Sequence, residues 1–305
     1  MPRTFFGPYG ENNSTYASAG NANLGRWPLG HILELPDHRQ YRFVLNDGTV
    51  EVAGNLYQSV ASVAGHVNIT ADVVRAIGAT AISATLNGTA PAADIYAEGT
   101  VHTNNDTGES YAYRIRRAMT AGAAHASAAS AAVLTVNLEA GDTVQVALDT
   151  TSEVTLTRNR FHQVLITAAP PTAGLAGVSP GVAAVDRYYW SQVKGYAAVL
   201  ASGTLLAGLP VMAGITTAGS VESTKRRLQA GGSTALVVTT GLAYAYLVDA
   251  GGNTTGMAIL TTTALTTVGV DVTGGIAYNA PNMGMCVKAN STTQYALVDL
   301  DIQGW

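Results

Sequence analysis

One cysteine, Cys286, stands in 305 residues, so the chain builds no internal disulfide framework and no cysteine-based zinc site. Charge is scarce as well. Asp, Glu, Lys and Arg make up 12% of the chain, about half the share usual in globular domains. No run reaches the roughly 18 apolar residues read as a membrane-spanning helix. The opening MPRTFFGPYGENNSTYASAG lacks the basic-then-apolar layout of a secretory signal. The expectation is a chain made in the cytoplasm, with no membrane partner, in which the Asn-x-Ser/Thr triplets at Asn68, Asn87 and Asn105 carry no weight. A net charge of −4 offers nothing to attract nucleic acid.

Catalytic motifs are missing too. GNANLGRW (20–27) spaces two glycines like the start of a phosphate loop, then lacks its lysine. There is no Gly-x-Ser-x-Gly elbow and no His-Glu-x-x-His pair. The six histidines are dispersed; only His31 and His38 lie near each other, across Leu35-Pro36-Asp37, and all read as surface or satisfied core positions. Cys286, in MGMCVKA, reads as an inert buried thiol. Asp249 and Asn253 in DAGGNTTG offer hard oxygens for calcium, but one carboxylate in a Gly-rich loop fits an ordinary hairpin turn better. Asp299 and Asp301 share one strand face, and pairing with an Arg across an interface fits them better than acid–base work. No catalytic residue, metal or cofactor is expected, and the chain reads as no enzyme.

The missing charge is replaced by Ala, Gly, Thr, Ser and Val. Such a surface is either Thr/Ser-coated sheet or is covered by other subunits. QYRFVLNDGTVEVA (40–53) alternates apolar residues on both sides of Asn46-Asp47-Gly48, the pattern of a tight hairpin. DIYAEGTVHTNNDTGESYAYRIRRAM (94–119) repeats it around 104–108, with Tyr111, Tyr113 and Ile115 on one face and Arg114 and Arg116 on the other. Residues 132–159 predict three more short strands, one turn falling at Ala140-Gly141-Asp142. Pro170, Pro171 and Pro180 among three glycines mark the best boundary in the chain. Strand-like runs follow at 188–201, 204–213, 235–240, 243–249, 256–264 and 295–302. Helix signals are confined to 70–86, which is ambiguous, and the Ala-rich 121–132.

The predicted fold is all-β: two sandwich- or barrel-like domains with an extended N-terminal arm and little helix. The arm spans 1–39, the first β domain 40–169, a Pro/Gly linker 170–181 and the second β domain 182–305. The arm carries Phe5, Phe6, Tyr9 and Trp27 without strand or helical period. It either docks on a neighbouring subunit or folds back on its own domain, two readings of equal weight. Thirteen of the sixteen basic residues are Arg, a residue suited to interface pairing. Arg114, Arg116 and Arg117 are the clearest cluster, with a solvated strand face as the equal alternative. Tyr188-Tyr189-Trp190 and Tyr244/Tyr246 have the composition of a sugar-stacking platform, but aromatics in strands are mainly cross-strand packing.

YYWSQVKGYAAVLASGTLLAGLPVMAG (188–214) resembles a stretch of tailed-bacteriophage structural proteins, including aquatic and cyanobacterial ones, in which an aromatic strand leads into a hairpin. TGESYAYRIRRAM, DTVQVALDTTSEVTLTRN and the closing QYALVDLDIQGW are similar to other parts of the same proteins. The likeness runs from about residue 40 to the end. It implies a virion component at the capsid surface, of the cement or decoration type. Such a protein stabilises joints between major capsid subunits, commonly as a trimer, with the major capsid protein as partner. Two other classes stand beside it. One is a receptor- or glycan-binding head or tail fibre that stacks sugars on Tyr188, Tyr189 and Trp190. The other is a glycan depolymerase, which would require two carboxylates at glycosidase separation.

Overall fold

A computed structural model of the chain describes residues 4–17, 27–118, 122–223, 244–248, 254–259, 283–289 and 294–302. The fold is all-β; among the described residues the only helical turns are two 3₁₀ segments, Glu11–Asn13 and Ala64–His66. The chain divides into two compact units, residues 1–224 with 282–305, and residues 225–281.

The first unit opens with β1 (Thr4–Phe6), β2 (Tyr16–Ala17), β3 (Ile32–Glu34), β4 (Gln40–Leu45) and β5 (Leu56–Gln58). An excursion follows through β6 (Ile69–Thr70), β7 (Ala81–Thr85), β8 (Thr100–Asn105), β9 (Ala112–Arg114), β10 (Val133–Asn137) and β11 (Glu153–Thr157). The chain returns with β12 (Leu165–Ile166), β13 (Leu175–Val178), β14 (Arg187–Leu200), β15 (Pro210–Ala213) and β16 (Val221–Ser223). In the second unit, β17 (Tyr244–Val248) and β18 (Thr254–Ile259) form an antiparallel hairpin. β19 (Gly284–Lys288) and β20 (Tyr295–Asp301) complete the first unit.

Twelve strands make one sheet, with the path β1-β3-β4-β14-β20-β19-β15-β16. Its spine is β14, whose first half pairs antiparallel with β4 (Tyr188↔Leu45 to Lys194↔Gln40) and whose second half pairs with β20 (Lys194↔Asp301 to Leu200↔Tyr295). The sequence explains this position. YYWSQV leads with three aromatics and is buried on both faces, its Ser191 and Gln192 included, whereas the residues after Gly195 alternate. Trp190 and Tyr188 pack on one face with Leu33, Tyr41, Phe43 and Leu45, while Tyr189 packs on the other with Val44, Tyr57 and Val164. The excursion, in contrast, closes its own core around Ile69, Ile82, Tyr96, Tyr113, Leu134 and Leu156.

Several boundaries differ from expectation. The described part of 1–39 is no extended arm: β1 pairs parallel with β3, and β2 pairs with β14. Phe5, Tyr16 and Trp27 fold back because β4 and β14 present Phe43, Tyr188 and Trp190 as an aromatic surface to cover. The first β domain does not begin at 40, since β4 and β5 belong to the large sheet. Nor is 170–181 a linker. It contains β13, buried throughout and paired with β5 and β14. Gly177 lies at φ 126°, where an added Cβ would strike Ser191. Here glycine serves close strand approach rather than flexibility. The second β domain expected at 182–305 is divided, because 225–281 form the separate unit.

The hairpin at 46–48 does not form. The Asn46 amide instead donates to the carbonyls of Thr49 (3.1 Å) and Ala184 (2.6 Å), and β5 pairs elsewhere. The hairpin across 104–108 does form, as β8–β9, with Tyr113 and Ile115 buried but Tyr111 exposed. Neither 70–86 nor the described part of 121–132 is helical, and the middle strand expected in 132–159 is reduced to a bridge between Arg75 and Leu148. β15 pairs with β16 and β19 rather than turning back on β14. The strand expected at 235–240 and the loop bearing Asp249 and Asn253 lie outside the described residues.

Candidate functional site

Tyr188, Tyr189 and Trp190 are 9%, 3% and 0% exposed, so no ring face is free for a sugar and their platform reading is overturned. The Trp190 ring lies 4.9 Å from Phe43 and 5.3 Å from Trp27, which also meets Phe5 at 5.6 Å. Three of the five N-terminal aromatics, Phe5, Tyr16 and Trp27, therefore pack on this core, while Phe6 and Tyr9 are exposed.

Arg114 and Arg117 converge on a residue the sequence reading missed, Glu98. Its carboxylate is 6% exposed. It accepts the Leu29 backbone N–H at 2.9 Å and lies 3.2 Å from Arg117 Nε and 3.4 Å from an Arg114 Nη. Arg116 does not join them; only its carbonyl meets Glu98, accepting the Glu98 N–H at 3.3 Å. Burial pushes the Glu98 carboxyl up to about 7, against the pull of the Arg117 and Arg114 charges and the Leu29 N–H. A groove of about 1180 Å³, lined by Trp27, His31, Arg114, Arg158 and Phe161, opens on one side of Glu98. A cavity of about 240 Å³, lined by Asp94, Arg117, His162 and Tyr188, lies on the other.

The arrangement is a clamp between two parts of the unit. Glu98 belongs to the excursion and Leu29 to the large-sheet side, so one carboxylate ties the two parts of the unit together. The Asp94 carboxylate is engaged by the backbone N–H groups of Gly122, Ala124 and His125, and Asp186 lines the same cavity. Arg117→Met is expected to raise the Glu98 pKa above about 7, read from its side-chain carboxyl carbon by NMR. An unchanged titration would show that Arg117 contributes nothing to the clamp.

The dispersed histidines also come together in part. His66 hydrogen-bonds the Tyr96 hydroxyl and the Thr89 carbonyl (2.8 Å), and His125 Nε2 accepts the Tyr96 N–H at 3.1 Å. Both are buried and satisfied, as expected of core histidines. Among the described residues no group of three or more His, Cys, Asp or Glu is arranged to hold a metal. Cys286 is buried, and burial pushes its thiol up, away from the reactive thiolate. Asp299 and Asp301 are exposed on one face of β20, opposite Tyr196 and Lys194 of β14.

A second groove, of about 580 Å³, lies where Tyr9 meets β14 and β20. Tyr9, Tyr196 and Tyr295 line it together with Arg39, Asn13 and Gln192. Tyr196 and Tyr295 were legible only as apolar residues in the outward phase of alternating strands. Comparison of the chain with protein-family models, with curated proteins and with solved structures gave no match.

Proposed function

We propose that this chain is a non-enzymatic structural protein of a tailed-phage virion. In this reading it is a cement or decoration protein on the capsid surface, homo-oligomeric and trimeric by resemblance, that ties major capsid subunits together. The observation that carries the reading is the grouping of exposed apolar side chains on a charge-poor surface. Val50 and Val52 are exposed beside Val182 and Val185 on two loops joined by the Glu51 N–H to Ala183 carbonyl bond (2.8 Å). Leu206 and Leu209 are exposed beside Met285 and Val287, where Gly208 donates to the Cys286 carbonyl (2.7 Å) and Cys286 to that of Leu209 (2.9 Å). Val73, Val74 and Ile77 form a third group.

Grouped apolar exposure marks contact surfaces, whereas single exposed apolar residues need no explanation. Several modest patches suit a protein that grips many repeated joints, since multivalency adds up weak contacts. The N-terminal segment has a different part in this account. Phe5 and Trp27 are core, so deleting residues 1–30 is expected to destabilise the large sheet and not merely to loosen attachment.

The test is quantitative mass spectrometry of particles purified from the phage that encodes the chain. A copy number comparable to the major shell protein is the expected result. A few copies per particle would favour a fibre or portal-proximal role, and absence from particles would reject the virion reading.

A further inference from the structure

We infer that the groove between Tyr9, Tyr196 and Tyr295 binds a neutral oligosaccharide. This stands on the groove alone and needs no part of the capsid reading. The three rings are 63%, 58% and 51% exposed, on a chain whose other large aromatics in the large sheet are mostly core. Each is held where it stands by a local device.

Tyr196 follows a β-bulge in β14, where the pairing register with β4 shifts between Gln192 and Lys194. The Gln192 amide donates to the carbonyls of Lys194 (3.1 Å), Gly195 (3.2 Å) and Tyr196 (3.0 Å), and Gly195 lies at φ 81°. Bulges of this kind redirect side chains and occur beside binding sites. Tyr295 packs against Gly54, where a Cβ would collide with its ring. Tyr9 precedes Gly10, at φ 98°, which starts the 3₁₀ turn Glu11–Asn13.

The register sets the length of the site. Tyr295 pairs with Leu200, four positions along β14 from Tyr196, so the two rings are about 13 Å apart along the strand at the usual rise. Between them the outward position on β14 is Ala198, exposed and small. That span suits a short oligosaccharide rather than a single sugar ring, with an open floor between two stacking rings.

The chemistry points to the ligand class. An aromatic face carries negative quadrupole charge and meets the weakly positive C–H face of a pyranose, as it meets other electropositive edges. Hydroxyls at the sugar rim need both donors and acceptors. Asn13 offers an amide, oriented by the 3.0 Å bond it accepts from Asn12, and Arg39 offers guanidinium N–H groups. The Arg39 stem crosses Gly195, and its Nε donates to Asp37 at 2.7 Å. That pairing compensates the one charge in the groove, and no carboxylate lines it. A few fixed polar groups among aromatic surfaces is the composition of a small-ligand site, and Asp299, exposed opposite Tyr196 on the neighbouring strand, disfavours acidic sugars.

The experiment uses the full chain. Maltotetraose, cellotetraose, laminaritetraose and chitotetraose are titrated separately into labelled protein and followed by NMR. Saturable binding of at least one is expected, with the shifted resonances including Tyr196 and Tyr295. Tyr196→Ala and Tyr295→Ala, which truncate exposed side chains and keep the wild-type melting temperature, are expected to weaken binding at least tenfold each. Tyr111→Ala, at an exposed tyrosine elsewhere, is expected to leave it unchanged. If none of the four sugars binds, or if binding survives the double Tyr196→Ala/Tyr295→Ala variant, the inference is overturned and the groove becomes a protein contact surface.

Discussion

Trp190→Ala is expected to unfold the large sheet far more easily than any surface substitution, lowering stability by about 3–5 kcal/mol, the range for truncating a buried aromatic. The reason is its position as the inner ring of a cluster. Trp190 is fully buried, Phe43 and Trp27 pack against it at tilted angles, and Tyr188 stacks in turn on Phe43 at 5.3 Å. Removing it leaves a cavity that β4 and β14 cannot collapse into, because each is fixed by strand pairing on its other side. The melting temperature is expected to fall by roughly 6–15 °C.

Trp190→Phe is the informative companion. The Trp190 indole N–H has no hydrogen-bond partner, so phenylalanine loses volume and leaves no acceptor orphaned. Most of the stability is expected to return. Thermal unfolding of both variants checks this. A melting temperature for Trp190→Ala within about 1 °C of the wild type would overturn the packing role and restore the ring as a candidate for ligand contact.

The same strand shows what sequence reasoning can reach. Tyr188, Tyr189 and Trp190 put large rings on consecutive positions, so both faces of the strand carry apolar bulk, and a strand buried on both faces is what such a run means. The β8–β9 hairpin was legible for a similar reason: Asn-Asn-Asp-Thr-Gly between alternating runs is a local signal. Asn46-Asp47-Gly48 carries the same local signal and fails. Its asparagine finds a stronger use in the carbonyl of Ala184, which is 138 residues away and invisible to any local pattern.

Gly177 failed in the opposite direction. Glycine permits both a flexible joint and the close crossing of two strands, and composition does not separate the two uses. The contact sites were hidden by distance in the chain. Glu98 is one acidic residue in an unremarkable turn until Leu29, Arg114 and Arg117 are folded around it. Tyr9, Tyr196 and Tyr295 become a groove only through the β14–β20 register and the return of the N-terminal turn. The all-β class follows from alternation alone, because periodicity is local; the pairing of strands 100 or more residues apart does not.

Glu51→Gln is expected to flatten the loss of stability toward alkaline pH. Glu51 is fully buried, and neither carboxylate oxygen makes a hydrogen bond of ordinary geometry. Burial pushes its carboxyl up to about 8; the nearby Tyr57 hydroxyl opposes this and the Asp47 charge adds to it. From the ordinary 4.5 to about 8, the folded chain keeps a proton that the unfolded chain has released. Stability from this group is complete below pH 4.5 and is lost as pH rises through about 8, by roughly 4–5 kcal/mol in all. Glu98 acts with the same sign between 4.5 and about 7. His162 acts with the opposite sign: burial lowers it from 6.5 to about 4, so its contribution is lost as pH falls through that window. Above pH 6.5, then, the two glutamates decide the slope among these three groups, and the wild type is expected to weaken toward alkaline pH. Glutamine carries no proton to lose. In urea titrations the variant is expected to match or fall slightly below the wild type near pH 5, where the carboxyl is already neutral, and to exceed it by about 3 kcal/mol or more near pH 9. Parallel pH profiles for the two proteins would show that Glu51 ionises freely in the fold, and the buried neutral acid beneath the Val50–Val182 surface would have to be given up.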